Sequence, residues 1–211
     1  MSATARPRRT ALVAVWMVMA LSGLVAAGAA VRSHWADHSR LPVLATLPAY
    51  DLVDSAGIPL GPDRLAGRPF VADFIFTRCA GVCPAMTARL ARLRPEVPAE
   101  VRFVSFTVDP SHDTPERLRA YASAHGAGED WIFATGSREA LYGLATSGFK
   151  LAAYEVPPEE RRAGGDGPFL HSSKFVLVDG AGRVRGYYDS AEEEAVGALR
   201  RDARALLGER P

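Results

Sequence analysis

Cysteine is nearly missing from this chain: 211 residues hold only two, Cys79 and Cys83. That scarcity excludes a disulfide-dense small scaffold and every all-cysteine zinc or iron–sulfur site. An excess of charge is missing too, since 25 Lys and Arg stand against 24 Asp and Glu. A dedicated nucleic-acid binder usually carries a strong basic surplus, so no nucleic acid is expected as a partner. No repeat with a period of about 20–50 residues runs along the chain. Two full domains would be cramped in this length, whereas one domain with a proper core fits. The content of 48% hydrophobic, 23% charged and 9% aromatic residues is ordinary for a globular protein.

What is present is unevenly spread. Ala11 to Val31 contains no charged residue, and a helix of that length covers ~31 Å, the thickness of a bilayer's hydrocarbon core. Arg6, Arg8 and Arg9 precede it, with no acid among the first nine residues. This flank places the amino terminus inside and exports everything after the run. The expected layout is a cytoplasmic start over 1–10, a single-pass transmembrane anchor over 11–31, a tether over 32–48 and a globular domain over 49–211 on the exported, periplasmic-type face. A cleaved signal peptide competes with the retained anchor, because Ala27-Gly28-Ala29 offers small residues for cleavage. No cysteine stands directly after the run, which excludes a bacterial lipoprotein anchor. Either way the domain faces an oxidising compartment.

Pro42 and Pro48 break regular structure in the tether. His34 and His38 lie four apart there, and two solvated linker histidines are a simpler account of them than a metal site. Beyond it, Tyr50–Val53 and Ile58–Leu60 flank a turn as a small hairpin. Phe70–Thr77 and Val101–Val108 read as central strands, and Val82–Leu93 as a helix with Met86, Leu90 and Leu93 on one face. Thr114 caps a further helix with Pro115 at its first position. Trp131–Ala134 reads as a strand, Ser137–Ser147 as a helix and residues 157–169 as a mobile surface loop. Lys174–Val178 and Arg183–Tyr188 form a hairpin, and Ser190 with Glu193 a capping box for the last helix. Strand and helix alternating in this way imply an α/β fold, a mixed sheet with helices on both faces, as in thioredoxin-like domains.

Both cysteines lie in FTRCAGVCP, residues 76–84, where a strand ends and a helix begins. Backbone N–H groups at a helix start favour a thiolate and lower its pKa. Four positions apart across a turn, the two sulfurs can close a disulfide or grip one soft metal ion. A purely structural disulfide over so short a loop would constrain little unfolded chain. Two thiolates suit copper(I), and a histidine nitrogen completes a three-coordinate site that copper(II) also tolerates. His112 and His125 read as a solvated loop residue and a helix-end residue. His171 follows the surface loop and precedes the strand Lys174–Val178, so it stands at another strand end of the same sheet.

FIFTRCAGVCP, then SFTVDPSHDTPERLRAY, then a long variable loop, then HSSKFVLVD resembles, in order, the SCO/SenC family of thioredoxin-fold copper proteins that assist cytochrome c oxidase assembly. The similarity covers roughly residues 45–207. It implies that Cys79 and Cys83 form a redox-active pair, that Cys79, Cys83 and His171 bind one copper ion per chain, as copper(I), copper(II) or both, and that Asp109 is a supporting carboxylate near them. Asp113 is expected to hold the local backbone. Two departures bear on tuning: Ala80-Gly81 stands where family members commonly have proline after the first cysteine, and Leu170 where many have an acid.

The leading expectation is a metallochaperone that passes copper to the dinuclear copper centre of an oxidase subunit. The alternative is a membrane-anchored thiol–disulfide oxidoreductase that reduces the target's cysteines, one thiolate attacking and the other resolving. Partners on these readings are the oxidase's copper-site subunit, a thioredoxin-type reductant and the membrane. A peroxiredoxin-like peroxidase fits less well, because the proline–threonine context before the cysteine is not evident.

Overall fold

A computed structural model of the chain describes residues 41–128, 130–157 and 169–208, with residues 16, 17, 19, 21–23, 25 and 26 of the amino-terminal stretch. It divides into Met1–Arg40 and Leu41–Pro211. The described residues of the first unit are helical, with Trp16, Met17, Met19, Leu21 and Val25 all exposed. Most of the expected span over 11–31 lies outside the described residues. Among those described, no helix is long and apolar enough to cross a membrane.

The described residues of the second unit form ten strands: β1 (Ala45–Thr46), β2 (Leu52–Asp54), β3 (Pro59–Leu60), β4 (Phe70–Ile75), β5 (Arg102–Thr107), β6 (Trp131–Thr135), β7 (Ala153–Glu155), β8 (Phe169–His171), β9 (Lys174–Val178) and β10 (Arg183–Asp189). Eight of them form one mixed sheet in the order β1-β10-β9-β4-β5-β6-β2-β3. β4 lies parallel to β5 and antiparallel to β9. All six residues of β4 are buried, as a strand covered on both faces requires. β7 and β8 pair separately as an antiparallel ribbon.

Side chains alternate across the pleat, so Phe74 and Phe106 share one face while Asp73 and Ser105 share the other. Phe149 packs edge-on to Phe74 with centroids 5.3 Å apart. It follows helix α4 (Arg138–Gly143) and a π-helical turn at Leu144–Gly148, so that segment covers the phenylalanine face. The expected single helix over Ser137–Ser147 is therefore two helical types in succession. The opposite face carries α2 (Val82–Leu93), α3 (Pro115–Ala124) and α5 (Glu193–Gly208). Thr87 of α2 bonds Tyr121 of α3 at 2.9 Å, and Arg89 of α2 donates to Glu193 of α5. A short helix, α1 (Pro62–Leu65), joins β3 to β4.

Three further expectations change. The stretch 41–48 belongs to the folded unit and not to the tether: β1 pairs with β10, and Arg185 donates to the carbonyl oxygens of Leu41 and Pro42. Glu193 makes no capping box, because its carboxylate takes the Arg89 guanidinium; Asp189 accepts the Ala191 N–H at 2.9 Å instead. His171 ends β8, opposite Ala153, where a plain approach to β9 was expected. Residues 158–168 of the expected mobile loop, and His34 and His38, lie outside the described residues.

Candidate metal centre

β4 delivers the chain to the site. Beyond Ile75 the backbone turns, the Cys79 N–H donating to the Phe76 carbonyl at 3.1 Å, and α2 begins at Val82. Cys79 thus precedes the helix and Cys83 lies in its first turn. Pro84 fits there because first-turn N–H groups have no partner within the helix. The Cys83 N–H donates to the Cys79 sulfur at 3.3 Å. The two side chains stand as thiols, both buried, and no disulfide joins them.

The electrostatics differ from the expectation of an acidified pair. The hydrogen bond Cys83 shares with Cys79, and then its burial, push the Cys83 thiol well above the ordinary cysteine range, against an opposing N–H from Phe76. Asp73, buried beneath, adds repulsion in the same direction. Cys79 is the sulfur that faces the helix start and receives its N–H.

Two acids of the β5–α3 loop organise the surroundings. Asp113 is fully buried. One oxygen accepts the Thr77 hydroxyl at 2.5 Å, and the other accepts the Thr77 N–H at 3.1 Å and the Thr107 hydroxyl at 2.5 Å. It ties the loop before Cys79 to the end of β5. Asp109, 2% exposed, accepts two N–H bonds from Arg78 at 3.0 and 2.5 Å. Arg78 and Asp73 are the neighbours that sequence reasoning missed. An acid within the apolar stretch FVADFIFT was the available signal for Asp73; nothing short of the fold pairs Arg78 with Asp109.

Cys79 and Cys83 are brought together. Asp109 comes beside the cysteine loop through Arg78. His171 is placed by its backbone at the end of β8, and its side chain lies outside the described residues. His112 stands away with Arg117, at 2.6 Å from its guanidinium, and His125 ends α3 with its ring 4.3 Å from that of Tyr121. Among the described residues no group of three or more His, Cys, Asp or Glu is poised around one point. The described donor set is therefore two soft sulfurs, which suits a soft cation held with few ligands.

Comparison with known proteins agrees with this frame. The family model described as SCO1/SenC matches residues 41–205. A SCO1 protein homolog of Bacillus subtilis is 37% identical over 135 residues, covering 62% of this chain and 66% of that one, just under two thirds of its length. A Stutzerimonas stutzeri protein provisionally named as copper-binding is 35% identical over 151 residues, 70% of this chain and 71% of its own. Among solved structures, a SCO1/SenC family lipoprotein of Bacillus anthracis superposes with a TM-score of 0.71 at 32% identity, over 80% of this chain and 98% of that one. BsSco, described through a disulfide switch and as a member of the Sco family of cytochrome c oxidase assembly proteins, gives 0.64 at 29% identity, over 79% and 99%.

Proposed function

The chain belongs to the SCO1/SenC family, and from that premise we propose that it is a copper metallochaperone acting in cytochrome c oxidase assembly. Cys79, Cys83 and His171 hold one copper ion as cargo and pass it to the dinuclear copper centre of the oxidase subunit. The observation that carries this reading is the pair of buried thiols at the β4–α2 junction, one receiving the other's N–H. The copper-binding name of the Stutzerimonas relative and the oxidase-assembly role given to BsSco support the cargo and the setting. Copper binds thiolates, so loading displaces protons from the pair. Transfer then proceeds by ligand exchange, the thiolates leaving one at a time. Asp113 and the Arg78–Asp109 pair keep the loop in place meanwhile.

A second reading rests on the same two sulfurs. One thiolate attacks a target disulfide and the other resolves the mixed disulfide, so the target gains two thiols and Cys79–Cys83 becomes a disulfide. A thioredoxin-type reductant then restores the pair.

The domain is exported and held by a single span over 11–31, with the amino terminus inside and the tether beginning at residue 32. The charge-free run supports this, as do the exposed apolar side chains of its described helical residues. The Bacillus anthracis relative is a lipoprotein, a membrane-held member of the same family.

The test is to reduce the chain, load it anaerobically with copper(I), desalt it against a competing chelator and count copper per chain. Close to one copper, lost in Cys79→Ser or Cys83→Ser and weakened in His171→Ala, supports the chaperone. Little copper with ready disulfide exchange supports the oxidoreductase, and retention unchanged in His171→Ala removes that residue from the site.

A further inference from the structure

At the far end of the same two central strands lies a second polar site. Arg102 opens β5, the strand that ends beside Asp109, and Arg68 lies two residues before β4, the strand that ends before Cys79. Six-residue strands place this end about 20 Å from the cysteines. Arg64, Arg68 and Arg102 line a cavity of about 410 Å³ together with Asp130 and Ile132.

All three arginines are half-buried, and the backbone holds each in place. Arg68 donates to the carbonyls of Ala99 at 2.9 Å and Glu100 at 3.1 Å. Arg102 donates to the Arg64 carbonyl at 2.5 Å, and Arg64 to those of Ile58 and Pro59. These bonds use only part of the five donors on each guanidinium.

The charges do not cancel. Asp130, the only acid on the wall among the described residues, is held through both oxygens by Arg94. Asp54 pairs with Arg64 at 2.7 Å. No described ion pair includes Arg68 or Arg102. Burial, then repulsion from Arg68 and Arg64, lowers the Arg102 pKa, so the three cations feel one another. Like charges fixed half-buried around one cavity cost stability when empty and reward an anion that joins them.

We propose that Arg64, Arg68 and Arg102 form a binding site for a phosphate group. A carboxylate is filled by one guanidinium fork, whereas the remaining donors of three guanidinium groups that line one cavity from α1, the β4 approach and β5 suit the many oxygens of a phosphate. The same chemistry is offered by free phosphate and by an anionic phospholipid headgroup.

The experiment uses the full chain in neutral detergent micelles. Inorganic phosphate is titrated calorimetrically, and in a second arm the micelles are doped with phosphatidylglycerol or, as control, phosphatidylcholine. The parent binds one phosphate group per chain, with an affinity that falls as salt rises. Arg68→Gln and Arg102→Gln, each checked for an unchanged far-ultraviolet spectrum, bind roughly tenfold or more weakly, since each removes charged donors. Two variants are used so that misfolding of one leaves the other to decide. Copper retention stays as in the parent, separating this site from the cysteine centre. Heat with inorganic phosphate assigns the site to a soluble anion, and heat only with phosphatidylglycerol assigns it to the lipid headgroup. No binding in either arm, or parent-like binding by a folded variant, overturns the proposal.

Discussion

Asp113 ties the loop before Cys79 to the end of β5. Its carboxylate accepts from Thr77, two residues before Cys79, through both the hydroxyl and the N–H, and from Thr107 at the end of β5. Replacing it with alanine leaves the buried Thr107 hydroxyl and the half-buried Thr77 hydroxyl and N–H without their charged acceptor. Each such bond contributes roughly 1.5–3 kcal/mol, with losses that overlap, so Asp113→Ala is expected to cost about 3 kcal/mol of stability. Because the loop before Cys79 loses its tie, copper retained against a chelator should fall as well. Denaturant titration measures the first effect and copper per chain the second. A variant that unfolds earlier yet keeps the parent's copper would confine Asp113 to stability alone.

Among the elements, α3 offers the control. Thr114 Oγ caps it by accepting the Arg117 N–H, and Thr114→Ala should cost about 1 kcal/mol while leaving copper retention at the parent's level. The β9–β10 hairpin carries a pH dependence. The buried Asp179 accepts N–H bonds from Ala181 and Arg183 and pairs with the guanidinium groups of Arg183 and Arg185. Burial alone would raise its pKa, but the Arg183 bonds and then those of Arg185 and Ala181 hold it below the ordinary 3.8. Its stabilisation is therefore complete above that ordinary value and lost as pH falls through the depressed one. Asp179→Asn should cost about 3–5 kcal/mol at neutral pH, because Arg185 is buried, and the gap to the parent should close on acidification below about pH 4. A gap constant down to about pH 2 would assign the effect to turn geometry. These elements were readable in sequence because each carries a local signal: the aromatic and β-branched run of β4, the apolar spacing of α2, and Thr114-Pro115 at the start of α3. Two- and three-residue strands such as β1, β7 and β8 have no periodicity to read, since their pairing is decided by partners far along the chain. The same limit applies to the site. The spacing of Cys79 and Cys83 was visible, whereas the Arg78–Asp109 pair and the upward shift of the Cys83 thiol arise only once β4, β5 and α2 are packed.

For the whole molecule, the boundary of the folded unit is the testable quantity. The sheet gains an edge strand from Ala45 and Thr46, with Leu44 and Leu47 donating to Val184 and Gly182. Arg185, 5% exposed at its side chain, uses the Leu41 and Pro42 carbonyls as acceptors on the side away from Asp179. A chain started at Leu41 keeps all of these and should unfold in one cooperative step. A chain started at Ala49 leaves β10 as the sheet edge and strips Arg185 of those carbonyls. Losing hydrogen bonds to a buried cation and a paired strand together should cost about 3 kcal/mol or more. Denaturant titration of the two shortened chains, side by side, measures the difference. Equal midpoints would return residues 41–48 to the tether. A lower midpoint for the shorter chain, with copper retained per folded molecule unchanged, would place this edge in the stability of the fold and leave the cysteine pair, at the other end of β4, independent of it.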